Sequence, residues 1–157
     1  SRNWKRLRPN SLVHALRLCK DYALERHNLS VERIADRMGT SEDSLYKWLG
    51  TGRMPANLIP SFELACGCPH HYASIWFATS AGKLVIDLPK GHKVQESDLV
   101  KLNSGFAEAL QLLQDFAAGT CDAQQTLQAL QLHLEQAAWH HANVSAHATP
   151  ELEFGDD

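Results

Sequence analysis

From Leu12 onward apolar residues recur as Leu12, Leu16, Cys19 and Ala23, with Val13 and Leu24 alongside. This is one face of a helix, and it fades at His27 and Asn28. Pro9, Asn10 and Ser11 precede it as a start signal. Ser30 is placed to cap a second helix by accepting a bond from a free first-turn N–H. There Val31, Ile34, Ala35 and Met38 follow the i, i+3, i+4, i+7 pattern, with Glu32, Arg33, Asp36 and Arg37 outside. Gly39 tolerates the left-handed backbone that ends a helix, and Thr40 or Ser41 supplies the next cap. A third helix, about 41–49, puts Leu45, Trp48 and Leu49 on one side, and Gly50, Thr51, Gly52 and Arg53 form the loop after it. Pro55 and Asn57 open a fourth helix carrying Leu58, Ile59, Phe62 and Ala65. Pro69 opens a fifth, carrying Tyr72, Ile75, Trp76 and Thr79, which Gly82 ends.

The period then changes. Leu84, Ile86 and Leu88 alternate with Lys83, Val85 and Asp87, the pattern of one short strand before Pro89 and Gly91. A lone strand needs a partner for its backbone, either a copy of itself or an unrecognised piece such as residues 92–95. Ser97 caps a longer helix with Leu99, Leu102, Phe106, Leu110, Leu113 and Phe116 on one face. Thr120 caps a last one, lined by Ala123, Leu127, Leu130, Leu134 and Ala137 and otherwise rich in Gln. So short a connection predicts an antiparallel pair, and two amphipathic helices cover little apolar area without a further surface. The fold class expected is all-α: a five-helix domain, one short strand and a C-terminal helix pair. The divisions are a basic arm at 1–9, a domain at 10–82, strand and linker at 83–96, a helical oligomerisation segment at 97–142 and an acidic disordered tail at 143–157.

Composition narrows the class. A chain of 157 residues, 44% hydrophobic and 21% charged, is long enough for one domain with an appendage and excludes a large multidomain enzyme. No apolar run approaches the roughly 18 residues needed to cross a bilayer, and the basic start lacks a secretory signal's apolar stretch. The expectation is a cytoplasmic protein with no membrane partner. The net charge of -3 hides a split. Residues 1–53 carry 11 Lys and Arg against 6 Asp and Glu, a net of +5, and the remainder carries -8. Such asymmetry fits one part meeting a polyanion, with chance clustering of solvated charge as the alternative.

Four cysteines, Cys19, Cys66, Cys68 and Cys121, sit in a chain whose compartment is read as reducing. Cys19 and Cys121 read as small buried hydrophobes. Cys66, Cys68, His70 and His71 hold zinc-ligand chemistry, but a Cys-x-Cys pair with no second pair, at a helix junction, predicts structure rather than metal. No cofactor is expected. Phosphate loops, nucleophile elbows and zinc-protease signatures are absent, so no enzymatic activity is expected. The nine His read as solvated or interfacial, Trp48 and Trp76 as core, and Trp4 in the basic arm as either core or stacking platform.

The second and third helices hold the strongest functional pattern. Ala35 lets two helices approach, Gly39 permits a tight turn, and Ile34, Met38, Leu45 and Trp48 face one another across the crossing. That is a helix-turn-helix. The run Glu32-Arg33-Ile34-Ala35-Asp36-Arg37-Met38-Gly39 followed by Ser44-Leu45-Tyr46-Lys47-Trp48-Leu49 resembles the lambda repressor-like helix-turn-helix, over about residues 10–80. The passage from Gly82 through Pro89 into a helical C-terminal segment is similar to CII-like regulators of temperate phages and Mu-like prophages.

The resemblance implies that the third helix enters the major groove, with Ser41, Glu42 and Asp43 near base edges, Ser44 beside them, and Tyr46 and Lys47 following along the groove. It also implies that Thr51, Arg53 and Asn57 contact the backbone, and that the arm of Arg2, Lys5, Arg6 and Arg8 follows phosphates or reaches a minor groove. The chain departs from the family at Glu42 and Asp43, where amides or hydroxyls are common. A carboxylate there either accepts from a cytosine amino group or complements the helix dipole and points away. Val31 replaces a polar phosphate contact, leaving Ser30 or Arg33 as substitutes. The expected function is operator binding by a transcriptional regulator, as a homodimer or higher homo-oligomer on double-stranded DNA. RNA polymerase or another phage protein is a further partner to consider. The alternatives are an accessory role in phage transposition or replication, or a protein adaptor that has lost DNA binding.

Overall fold

The computed structural model describes residues 2–88 and 93–148. The chain is all-α, and its helices are α1 (Leu12–His27), α2 (Val31–Met38), α3 (Glu42–Thr51), α4 (Ile59–Cys66), α5 (Tyr72–Ser80), α6 (Glu96–Ala117) and α7 (Ala123–Ala148). Among the described residues none is in a strand. Two compact units result, Ser1–Val85 and Ile86–Asp157.

The first unit begins its first three helices with serine caps. Ser11, Ser30 and Ser41 each accept a bond from the backbone N–H three residues on, at His14, Arg33 and Ser44. Around α1 the apolar faces close into one core whose largest fully buried side chains are Leu16, Ile34, Leu45, Phe62, Cys66 and Tyr72. Burying each of the aliphatic and Phe side chains contributes about 1.5–3 kcal/mol. α1 packs on α3, α4 and α5, while α2 packs on α3 and α4. The α2–α3 pair is thereby held from behind, leaving the opposite side of α3 to solvent.

Several expectations are corrected. Residues 2–9 are no free arm: Trp4–Arg6 is a 3-10 turn, Trp4 is 3% exposed, and the Tyr72 hydroxyl donates to the Trp4 carbonyl at 2.6 Å. An indole costs too much to leave in water when a core lies within reach. Residues 83–88 are not a strand. No described segment pairs with them, and Leu84 and Leu88 stay exposed. Pro55 leads only into the 3-10 turn Ala56–Leu58, and α4 starts at Ile59 with Pro60 in its first turn, where a missing N–H costs nothing. His71, in the left-handed region at φ 49°, precedes α5, so Pro69 lies outside it.

In the second unit Gln95, not Ser97, caps α6. Asp98 returns a bond to the Gln95 N–H at 2.8 Å, closing a capping box. Asp122, not Thr120, begins α7 by accepting from the Gln125 N–H at 2.8 Å, and Thr120 bonds back to Asp115. Cys121 is half-buried at this turn, its thiol beside Gln125 and Thr126. α7 continues through 143–148, which the sequence reading assigned to a disordered tail; the run has no Gly or Pro to stop it. The rest of that tail, 149–157, lies outside the described residues. The Phe106 ring meets the His133 ring at a tilt and Thr126 donates to the Leu112 carbonyl, so α6 and α7 run in opposite directions.

Candidate nucleic-acid interface

α3 begins at Ser41, whose hydroxyl donates to the Ser44 hydroxyl at 2.8 Å while accepting the Ser44 N–H. Ser44 is consequently half-buried and committed to the cap. Leu45 and Leu49 turn into the core, and at about 100° per residue Glu42, Asp43, Tyr46, Lys47 and Gly50 fall on the outer face. All five are exposed. Nothing lies within 4 Å of where a Gly50 Cβ would stand, so this face is bare backbone at its C-terminal end. The next turn is fixed by Thr51, which donates to the Lys47 carbonyl at 2.7 Å and accepts the Arg53 N–H at 3.3 Å. These bonds hold Arg53, exposed, just beyond the helix.

Charge is graded along α3. Glu42 and Asp43 occupy the first turn, where acids complement the positive end of the helix dipole, Lys47 follows in mid-helix, and Arg53 stands just beyond the C-cap Gly52. Asn57 is exposed in the 3-10 turn after Pro55, and Arg33 is exposed in the first turn of α2. The Arg37 guanidinium is tied to the Ala65 carbonyl at 3.1 Å and belongs to the packing of α2 on α4.

The basic residues near the N-terminus are placed differently from a trailing arm. Arg2 pairs with Asp21 at 3.4 Å and lies 5.4 Å from the Trp4 ring centroid. Arg8 donates to the Lys5 and Leu7 carbonyls. Lys5 and Arg6 are exposed. Arg2, Lys5, Arg26 and His70 line an open groove of about 590 Å³ beside Trp4 and Tyr22. Burial first, then His71, Lys5 and Arg26, depress the His70 basicity below its usual value. The sequence reading passed over Arg26; only the fold carries it to the N-terminal turn.

The cysteines form a group that the sequence spacing hid. Cys66 and Cys68 meet Cys19 from α1, all three buried, with the Cys19 thiol within bonding reach of the other two. Bonding to Cys66 and Cys68 and then burial raise the Cys19 thiol well above its usual range, while the Cys19 bond lowers Cys68. His71 instead bonds Glu63 at 2.6 Å. Among the described residues no cluster of three or more His, Cys, Asp or Glu is arranged to hold a metal, and no helix is long and apolar enough to cross a membrane. No protein-family model matches the chain, nor does any curated protein or solved structure.

Proposed function

We propose that the chain is a sequence-specific DNA-binding transcriptional regulator of phage or prophage type, acting as a dimer or higher oligomer on an operator. In this reading α1–α5 form a lambda repressor-like domain, and α2 and α3 are its helix-turn-helix. The observation that carries it is the outer face of α3: exposed, carrying Lys47, bare at Gly50, and followed by Arg53, whose backbone N–H the Thr51 hydroxyl accepts. A major groove about 12 Å wide admits such a helix, and the missing side chain at Gly50 allows close approach to a strand. Tyr46 and Lys47 run along the groove, and Thr51, Arg53, Asn57 and Arg33 bear on phosphates. Glu42 accepts from a cytosine amino group, with Ser41 and Ser44 setting its position. Lys5 and Arg6 reach the backbone from a rigid turn, whereas Arg2 and Arg8 support that turn through Asp21 and the local carbonyls.

Selection from a random duplex pool at about 150 mM salt tests this. A single enriched motif of two related half-sites is the expected result, and no enrichment overturns it. Lys47→Ala and Arg53→Ala should each weaken binding to every sequence alike and flatten the salt dependence by about one counterion, whereas Glu42→Ala should change the preferred base. The exposed pair Glu42 and Asp43 favours a second reading, a protein adaptor repelled by phosphate, whose signature is no retention of DNA even at about 50 mM salt.

A further inference from the structure

The C-terminal hairpin turns much of its apolar surface outward. The contact between α6 and α7 runs along Leu102, Gly105, Ala109 and Leu112 on one helix and Thr126, His133 and Gln136 on the other. Gly105 leaves the space that the Gln136 amide fills. This seam is largely polar on the α7 side, and the buried His133 Nδ1 and Gln136 Oε1 have no hydrogen-bond partner among the described residues. Ala109, Thr126 and Trp139 are the buried residues of the described second unit.

Five large exposed apolar residues directly follow a seam position in sequence: Phe106 follows Gly105, Leu110 follows Ala109, Leu113 follows Leu112, Leu127 follows Thr126 and Leu134 follows His133, while Val100, Phe116, Leu132 and Val144 lie elsewhere. One residue is a rotation of about 100°, in the same chain sense on both helices. Because the helices are antiparallel, equal rotations from the seam point to one side of the pair. With Leu99, 55% exposed, these side chains make a single apolar face on which Phe106 is 53% and Leu127 63% exposed.

We propose that this face is covered by the same face of a second copy of the chain, two hairpins closing into a four-helix bundle. This gives the interface on which the oligomeric part of the proposed function rests. Half of six large side chains is roughly 500 Å² of apolar surface per copy. That equals the apolar share, about 65%, of the roughly 800 Å² each partner brings to a standard interface. Charge selects the occupant. Lys101, Glu108 and Asp115 of α6 lie about 160° from the stripe, and α6 and α7 contain no other Lys or Arg. Nucleic acid and anionic membrane both need cations that this surface lacks. A second copy brings an equally uncharged face, so the acidic remainder of the chain is not forced against itself.

Light scattering of the full chain at tens of µM, without DNA, reads the association directly. The unaltered protein is expected as a dimer, Leu110→Glu with Leu113→Glu as a monomer that keeps its helical circular dichroism, and Leu132→Glu, elsewhere on α7, as a dimer. A monomeric unaltered protein, or a double variant that remains dimeric, overturns the proposal. If the double variant loses its helices, amide exchange on the unaltered chain decides. Exchange in α6 and α7 should slow at least about tenfold between about 1 and 100 µM, and no change with concentration overturns the proposal. Mass is read without DNA, and Lys47→Ala and Arg53→Ala should not alter it, so failure of the dimer and failure of DNA recognition are separate results.

Discussion

Gly39 and Gly52 share a left-handed backbone, φ +70° and +73°, but not the same surroundings. A Cβ at Gly39 meets nothing within 4 Å, whereas at Gly52 it meets Val13 Cγ2 at 2.9 Å, on a side chain stiff about χ1. Gly39→Ala should therefore cost about 1 kcal/mol, the backbone penalty alone, and Gly52→Ala about 2 kcal/mol or more, read as urea midpoints at constant slope. His70 sets an acid limit. Its basicity is depressed in the fold, so the unfolded chain takes up a proton first as pH falls below 6.5. Its stabilising share is whole above that pH and is lost as pH drops through the lower folded value. His70→Asn should lessen the fall of the melting temperature as pH is lowered below 6.5. At this scale the sequence was legible in part where chemistry is local: the serine caps of α1 to α3 and the helix-ending Gly39 follow from neighbours within four residues, whereas Ser97 and Thr120 lost the caps of α6 and α7 to Gln95 and Asp122. Trp4 and the Cys19–Cys66–Cys68 group were not legible, because their partners stand more than 40 positions away and no periodicity links them.

Among the elements, α3 depends on its cap more than its propensity, since ten residues make a marginal helix in isolation. Ser41→Ala removes both the N–H acceptor and the anchor of Ser44, and should cost about 1 kcal/mol. Leu45→Ala opens a cavity in the joint of α2 and α3 and should cost about 2–5 kcal/mol, so DNA binding by that variant should be read beside its unfolding midpoint. α1 to α3 were legible to within a residue or two, because a strong amphipathic pattern and a serine cap agree at each start. The hairpin was less so. Its stripes Leu99–Phe106–Leu113 and Leu127–Leu134 identify helices and an antiparallel pair short of covered area, but not which way the stripes turn; the structure sets them side by side, outward. Small residues at Gly105 and Ala109 allow a closer approach than the stripe would, and one position of rotation is below what periodicity resolves.

For the molecule as a whole, the division into Ser1–Val85 and Ile86–Asp157 separates a unit with a deep core from one with few buried side chains. Lys83 is exposed in an irregular segment, so trypsin should cut there early and leave an N-terminal fragment that still melts cooperatively. The charge split was visible in the sequence and matches this division closely, because each unit carries its own surface. The apparent strand at 83–88 misled, since alternation over six residues records only that no helix forms there. The four tryptophans divide unevenly: Trp4, Trp48 and Trp76 precede Val85, and Trp139 alone follows it. Trp139 is buried, 6% exposed, in the hairpin. A chain with the first three replaced by Phe would therefore carry one tryptophan, in the C-terminal unit, and because a single copy already buries it, a red shift of its emission in urea would report opening of the hairpin apart from the first unit.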